Sequence, residues 1–290
     1  METGELMAGE ATSIGLAGGR GLVGPAILPS YDPDAKNYFD RMSSTPETTR
    51  RDGLNIFIKD WKAAGLWDLT GAMWLMASHD AQAQRLNVKA EIFNLTAVGA
   101  PLFTVDRGTT FDGASSYFRT GFVPGAADTL YQQDSAHMGL FIRTSEVGTF
   151  GDLGARDATT VRQSCMFCGL SGTPATMSPR MNVGDASLNG GSSFSVSQVG
   201  GYSIGTRVVF TQQVAHKDAN SLGTSTLTST LPSSFELFIG AINQAGTPGL
   251  FSPRQYSVAH VGLGLTLAQR VSANTILRNY LSSIGASAPP

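Results

Sequence analysis

Charged side chains are scarce in this sequence of 290 residues. Asp, Glu, Lys and Arg together make up 14% of the chain, where a globular domain usually has about a quarter. The formal net charge is −2, so the chain lacks the basic excess that nucleic-acid-binding surfaces need. Disorder is excluded because 41% of the residues are hydrophobic and can fill a core. We therefore expect a folded protein without a nucleic-acid partner.

Long hydrophobic runs are also missing. No stretch reaches the roughly 18 apolar residues that a membrane-spanning helix requires, so we expect no membrane association. The chain begins Met-Glu-Thr-Gly-Glu, without the basic and apolar regions of a secretory signal. We expect synthesis in the host cytoplasm and export by another route, such as lysis.

Cysteine and histidine are too few and too scattered to favour a metal centre. The two cysteines, Cys165 and Cys168, have the spacing of a redox pair or of half a zinc site, but a structural zinc needs two further ligands. The four histidines stand apart from one another at His79, His137, His216 and His260. We expect two reduced thiols near a strand, and no metal or other cofactor.

Glycine, in contrast, is abundant, with 34 of 290 residues. From about residue 92, short apolar stretches with a period of two alternate with turns rich in Gly, Ser, Asn and Pro, which is typical of a sandwich or barrel. Asp112-Gly113 is a strong hairpin signal between two of these stretches. Predicted strands lie at 72–77, 102–106, 109–113, 115–122, 137–144, 163–170, 177–183, 193–199, 202–214, 222–230, 235–242 and 254–262.

Helices are predicted on both sides of this β region. Asp32-Pro33 is a cap followed by proline at the first helical position, and Ser44-Thr-Pro-Glu47 has the pattern of a capping box. Thr266-Leu-Ala-Gln269 has the same pattern and begins a C-terminal helix that ends at Gly285. Three tryptophans lie close together along the chain, at Trp61, Trp67 and Trp74. We interpret them as part of a helix that packs on the sandwich rather than as a platform for a sugar.

The predicted organisation has four parts. Residues 1–30 form a Gly-rich arm that cannot fold alone, residues 31–65 are helical, residues 66–285 form the sandwich, and residues 286–290 are a tail. The arm is more apolar than a simple linker, and such a segment gains stability by ordering against a partner or against copies of itself. Its apolar residues are Ile14, Leu16, Leu22, Val23, Ile27 and Leu28.

Three short motifs in the predicted sandwich resemble those of concanavalin A-like (laminin-G-like) jelly-roll domains of phage fibre and spike proteins. The first is the Phe-x-Gly-x-x-x-Tyr pattern and the second is an Ile-Gly-Ala strand. The third is the Val-Gly-x-x-Leu-Thr segment that leads into the last helix. Their residues are Phe111, Gly113 and Tyr117; Ile239, Gly240 and Ala241; and Val261, Gly262, Leu265 and Thr266. The resemblance covers roughly residues 66–285 and implies a mainly β fold, a two-sheet antiparallel jelly-roll sandwich with N-terminal helices and a C-terminal helix.

The resemblance also implies a function. A phage-like particle, including a gene transfer agent with a head spike or fibre, would carry this chain on its surface. The N-terminal arm would anchor it to other virion structural proteins, and the sandwich would recognise a capsular or cell-surface polysaccharide of the host. Fibres of this kind are commonly trimers and vertex spikes pentamers, and the sequence does not choose between them. The alternative is a purely structural capsid decoration or fibre-base subunit that binds no glycan.

A polysaccharide-degrading enzyme is a further alternative, which the sequence disfavours. Concanavalin A-like glucanases carry two catalytic glutamates in a Glu-x-Asp-x-(x)-Glu strand motif, and no such motif is present here. Glu236 is the one glutamate in a predicted strand. We therefore expect no enzymatic activity. Calcium, which some members of this fold bind, needs clustered oxygen ligands, whereas Asp152, Asp157 and Asp185 are scattered.

Sugar binding needs aromatic platforms and planar hydrogen-bonding side chains. The candidates for a carbohydrate site are polar and aromatic residues that we place in loops; for each one taken singly, packing or a plain surface position is favoured over ligand contact. They are Asp152, Arg156, Asp157, Tyr202, Asn243, Arg254 and Tyr256, with Tyr131 as a further candidate.

Overall fold

Two β-sheets packed face to face form the body of the protein in a computed structural model, which describes residues 30–157, 162–184 and 192–286. The predicted fold class, a mainly β two-sheet sandwich with helices on either side of it in sequence, is confirmed. The arm residues Ile14, Leu16, Leu22, Val23, Ile27 and Leu28 lie outside the described residues, as do Asp185 and most of the C-terminal tail.

The strands among the described residues are short and, with one exception, pair in antiparallel fashion. In chain order they are β1 (Thr70–Leu75), β2 (Thr96–Val98), β3 (Leu102–Thr104), β4 (Gly108–Thr110), β5 (Tyr117–Arg119), β6 (Ala136–Ile142), β7 (Leu153–Arg156), β8 (Gln163–Leu170), β9 (Thr176–Val183), β10 (Phe194–Ser195), β11 (Gly201–Val209), β12 (Gln212–Lys217), β13 (Asn220–Ser225), β14 (Phe238–Ile239), β15 (Ile242–Gln244), β16 (Thr247–Gly249) and β17 (Gln255–Gly262).

The first sheet has the order β13-β12-β11-β6-β17-β4-β3, and β1 also pairs with β17. The second sheet has the order β10-β9-β8-β7-β14-β5-β2, and the hairpin of β15 and β16 joins it through β7. Side chains alternate between the two faces of a strand. On β6, Met138, Leu140 and Ile142 therefore point into the core between the sheets, whereas Phe141 points to the opposite face.

The helical layer covers the outer face of the first sheet. It consists of α1 (Pro33–Asp40), α2 (Thr48–Ala63) and α3 (Leu267–Ser283). A second apolar core joins these helices to the sheet, with Trp61 of α2 and Tyr202 of β11 fully buried in it. Trp74 is equally buried in the core between the sheets and Trp67 is half-buried, so the tryptophans serve packing. No helix among the described residues is long and apolar enough to cross a membrane.

Capping residues predicted from the sequence mark the starts of α1 and α3 but not that of α2. The Asp32 carboxylate accepts a hydrogen bond from the Asp34 backbone amide, and Thr266 forms the predicted capping box with Gln269. The box predicted at Ser44 does not form, because α2 begins after Glu47 and has no side-chain cap.

The predicted hairpin at Asp112-Gly113 is wrong. β4 belongs to the first sheet and β5 to the second, so this turn carries the chain across the sandwich instead of pairing its neighbours. The Asp112 carboxylate accepts the backbone amides of Ala114, Ser115 and Ser116 at 2.8–2.9 Å, which satisfies the turn locally. The hairpin in this region pairs β3 with β4.

Two predicted strands are each divided in the structure. The stretch 202–214 is a hairpin of β11 and β12, with its turn between Val209 and Gln212. The stretch 235–242 bends at Gly240, where φ is +81° and a Cβ would lie 2.4 Å from the Phe111 ring. The motif residues Phe111 and Gly240 are therefore in contact. Because the Phe111 ring packs directly against it, position 240 tolerates only glycine.

Candidate functional site

An open concavity of ≈ 530 Å³ lies on the outer face of the second sheet. It lies where β5, β14 and the β15–β16 hairpin come together. Its described lining combines aromatic rings, one cation, one anion and an amide. The lining residues are Tyr117, Arg119, Gly121, Val123, Ser234, Phe235, Glu236, Phe238, Asn243 and Gly246.

Strand alternation decides which side chains face this concavity. Phe118 of β5 and Ile239 of β14 point into the core between the sheets. Their neighbours Tyr117, Arg119 and Phe238 therefore point outward. Arg119 and Phe238 are register partners across the two strands, so their side chains leave the same face of the sheet at neighbouring positions.

An ion pair between Arg119 and Glu236 provides the charged part of the site. The Arg119 Nε donates to Glu236 Oε1 at 2.7 Å, and Nη2 of the same guanidinium also contacts Oε1. The other oxygen, Oε2, accepts the Gly121 backbone amide at 2.9 Å. The Arg119 side chain is 54% exposed and the Glu236 side chain 15%. The hydrogen bond from Arg119 to Glu236 and the charge of Glu236 raise the pKa of Arg119, so the guanidinium stays charged.

The β15–β16 hairpin forms one wall of the concavity, and Asn243 stabilises this wall through side-chain hydrogen bonds to the backbone. Its Nδ2 donates to the Glu236 backbone carbonyl at 2.9 Å, and its Oδ1 accepts the Gly246 backbone amide at 2.7 Å. Gly246 has φ +93°, a conformation that favours glycine. Asn243 is 2% exposed, so its amide is used internally and supports the backbone that carries Glu236.

The aromatic side of the concavity is a packed cluster. The rings of Tyr117 and Phe238 lie 4.6 Å apart between centroids, and Phe251 packs against Tyr117 at 6.1 Å. Tyr117 and Phe238 are largely buried, whereas Phe235 is half-buried. The concavity is therefore lined by two largely buried rings and by Phe235, which also packs against the core between the sheets. This combination can hold a polar ligand that also has an apolar face.

Three of the predicted carbohydrate-site residues lie at or beside this concavity. Asn243 lines it. Asp157 accepts hydrogen bonds from Ser233 Oγ at 3.0 Å and from the backbone amide of the lining residue Ser234 at 3.3 Å. Arg156 donates to the side chain of Gln244, the neighbour of Asn243 in β15.

The other four predicted residues are buried elsewhere, which corrects their placement in loops as candidates for sugar contact. Asp152, Tyr202, Arg254 and Tyr256 are each 0% exposed, and the further candidate Tyr131 is 1% exposed. Their polar atoms bond within the protein, because a buried polar group without a partner would cost stability. None of them reaches the surface where a glycan would bind.

Asp152, Arg254 and Tyr256 form one buried network that links the two sheets. Arg254 Nη1 lies 2.7 and 2.8 Å from the two Asp152 carboxylate oxygens, and the Tyr256 hydroxyl donates to Oδ1 at 2.5 Å. The Cys168 backbone amide donates to Oδ2 at 2.6 Å. Arg254 also donates to the carbonyls of Glu146 and Gly169. This network is structural, since its donors and acceptors are used internally.

Tyr202 belongs to a second buried chain, beneath the helices. Its hydroxyl lies 2.8 Å from His260 Nε2, and His260 Nδ1 lies 2.9 Å from His137 Nε2. His137 Nδ1 contacts the Leu263 carbonyl at 2.5 Å. With both rings neutral, each contact has one donor and one acceptor, because His137 donates to the carbonyl and His260 to His137. Burial lowers the pKa of His137 to about 4 and that of His260 well below its usual value.

Sequence reasoning missed the ion pair at the centre of the concavity. Arg119 and Glu236 are 117 residues apart, and each lies in a separate short strand or its flank. The available signal was opposite charge beside aromatic residues in a chain with few charges: Arg119 follows Tyr117 and Phe118, and Glu236 follows Phe235. That signal identifies two candidate surface positions but not their contact.

The described residues contain no group of three or more His, Cys, Asp or Glu side chains arranged to hold a metal ion. Cys165 and Cys168 are free, buried thiols on opposite faces of β8, in different apolar clusters. Glu236 is the single carboxylate among the described lining residues of the concavity.

No protein-family model and no curated protein matches the chain. Among solved structures, a Trypanosoma rangeli sialidase mutant with trans-sialidase activity aligns with 78% of the chain at 14% identity and a TM-score of 0.43. The chain spans 39% of that sialidase.

Domain 4 of an extracellular GH43 arabinanase from Geobacillus stearothermophilus, in complex with arabinotriose, aligns with 70% of the chain and 97% of its own length, at 10% identity and a TM-score of 0.46. The CBM40 of Ruminococcus gnavus IT-sialidase, bound to sialyllactose, aligns with 61% of the chain and 96% of its own length, at 12% identity and a TM-score of 0.42.

Proposed function

We propose that this protein is a glycan-binding attachment subunit of a phage-like particle, and that the concavity around Arg119 and Glu236 is its sugar site. The observation that carries the proposal is the combination of an accessible ion pair and aromatic side chains on a sandwich face. Sugars present hydroxyls that both donate and accept, together with apolar C–H faces, and such a lining serves both. The particle context is supported by the motif resemblance at Phe111, Gly113 and Tyr117.

Hydrogen bonds hold the Glu236 side chain in place before a ligand binds. Glu236 is held by Arg119 on one side and by the Gly121 amide on the other, and its backbone is held by Asn243. A side chain that is already positioned loses less entropy when it binds, which favours affinity. Glycoside hydrolysis, in contrast, typically needs a pair of carboxylates around the scissile bond. Because Glu236 is the one carboxylate in the described lining, we propose binding without cleavage.

Binding of the full chain to purified capsular and cell-wall polysaccharides, measured by biolayer interferometry, tests the sugar site. We expect Arg119→Ala to weaken binding at least about tenfold, a loss of about 1.4 kcal/mol. Lys36→Ala is the matched control, because it removes an exposed cation from an ion pair on α1. Absence of binding to every polysaccharide, or equal binding by both variants, would count against the site. Release of reducing sugar would revive the enzyme alternative.

Anchoring through the arm is tested by co-sedimentation with intact particles. If residues 1–30 form the anchor, the full chain associates with particles and a 31–290 chain does not. Light scattering of both chains shows whether the arm also drives assembly into a trimer or pentamer. Particle association that survives the deletion would contradict an anchoring role for the arm.

A purely structural subunit is the second candidate, favoured by exposed apolar side chains near the β11–β12 turn. Val209 is 48%, Phe210 49% and Leu231 54% exposed, and the Ser229 amide bonds to the Phe210 carbonyl, which brings the two segments together. Clusters of this kind mark protein contacts. If Phe210→Ser abolishes particle association whereas Arg119→Ala changes nothing, the structural role is the better explanation.

A further inference from the structure

The balance of charge and hydrogen-bonding groups in the concavity points to a particular class of sugar. Its described lining contains one cation, Arg119, and one anion, Glu236, so the lining has no net charge. The two groups are in direct contact, which neutralises the guanidinium before any ligand arrives. A ligand carboxylate or sulfate would therefore gain little attraction from Arg119, because Glu236 already neutralises the guanidinium and would itself repel an anion.

The hydrogen-bonding capacity that remains is mixed. Arg119 has five N–H donors, and Glu236 takes one from Nε and one from Nη2, which leaves three on a side chain that is 54% exposed. Glu236 Oε2 accepts one hydrogen bond from the Gly121 amide, so this oxygen retains acceptor capacity. Unused donors and an unused acceptor thus lie side by side.

We propose that the concavity binds a neutral sugar through a vicinal diol, with one hydroxyl accepting from Arg119 and the adjacent hydroxyl donating to Glu236; this inference rests on the proposed glycan-binding function. A hydroxyl can play either role, whereas the oxygens of a carboxylate or sulfate only accept. Phe235, which is half-buried and among the lining residues, would add apolar contact for the C–H face of the same sugar.

The test uses the full chain and matched neutral and acidic bacterial polysaccharides, measured at 50 and 500 mM NaCl. We expect neutral polysaccharides to bind at least about tenfold more tightly than acidic ones, with little dependence on salt, because no net charge is screened. Periodate oxidation, which cleaves vicinal diols, followed by borohydride reduction should abolish binding to the neutral polysaccharides.

A charge variant gives a second readout. Glu236→Gln gives the described lining a net charge of +1, so we expect weaker binding of neutral sugars and about threefold or more stronger binding of acidic ones at low salt. Asp40→Asn is the matched control, because it removes an exposed carboxylate from an ion pair on α1. Thermal melting of both variants checks that each is folded.

The outcomes separate the two proposals. Neutral, periodate-sensitive and salt-independent binding supports the diol site. Binding confined to acidic polysaccharides, or binding that survives periodate treatment, overturns the diol inference but leaves glycan recognition standing. Absence of binding to any polysaccharide overturns the proposed function, and the diol inference fails with it.

Discussion

Removal of the Asp152 carboxylate should destabilise the sandwich strongly. Asp152 and Arg254 are both 0% exposed, and the carboxylate accepts from the Arg254 guanidinium, the Tyr256 hydroxyl and the Cys168 amide. In Asp152→Ala, Arg254 keeps its contacts with the Glu146 and Gly169 carbonyls but loses its counter-charge in the protein interior. An uncompensated buried charge of this kind costs about 3–5 kcal/mol.

The assay is urea unfolding followed by tryptophan fluorescence, since Trp61 and Trp74 are fully buried. With an m-value of about 3 kcal/mol/M, a loss of 4 kcal/mol lowers the urea midpoint by about 1.3 M. The double variant Asp152→Ala/Arg254→Met removes both charges, so it should be less destabilised than the sum of the two single variants by about 2 kcal/mol or more. A single-variant loss below about 1 kcal/mol, or strictly additive losses, would refute the argument.

Three further predictions concern other buried groups. Burial lowers the pKa of His137 from 6.5 to about 4, so as the pH falls the unfolded chain binds the proton before the folded chain does. The contribution of neutral His137 to the free energy of unfolding is fully present above about pH 6.5. We expect that free energy to fall by about 2 kcal/mol between pH 7 and 5 because of this residue. Urea midpoints that do not change over that range would contradict this. Gly139→Ala should lower stability by about 1–3 kcal/mol, because the new Cβ would lie 2.1 Å from His260 Nε2; an unchanged melting temperature would show that the ring moves aside. Burial raises the pKa of Cys165 to about 12 and that of Cys168 well above its usual value, so native protein should react with a thiol reagent only as fast as it unfolds, and rapid labelling would contradict the burial.

Much of the fold could be predicted because its signals are local. The predicted strands 137–144 and 254–262 and the helix caps at Asp32 and Thr266 depend on near neighbours in the chain, and the structure confirms them in β6, β17, α1 and α3. The turn at Asp112-Gly113 was also predicted from a local signal, but the pairing of the strands that flank it depends on distant parts of the chain. The turn geometry is the same whether the flanking strands pair with each other or join different sheets, and distant strands decide between the two.

The candidate site was predicted only in part. Asn243, Asp157 and Arg156 lie at or near the concavity, whereas Asp152, Tyr202, Arg254 and Tyr256 are buried in structural networks. A polar residue in a glycine-rich sequence indicates either an exposed loop or a buried group with partners, and composition does not distinguish them. Burial is decided by partners such as Cys168 for Asp152 and His260 for Tyr202, which are 16 and 58 residues away.

Local signals were sufficient to predict the β-rich class, the helices on either side of the sandwich and the helix caps at Asp32 and Thr266. Hydrogen bonds within a few residues and the period of apolar side chains both depend on consecutive positions in the chain. The crossing between sheets at Asp112 and the contact between Arg119 and Glu236 could not be predicted in this way. Those outcomes depend on long-range strand pairing, which brings together residues that share no local signal.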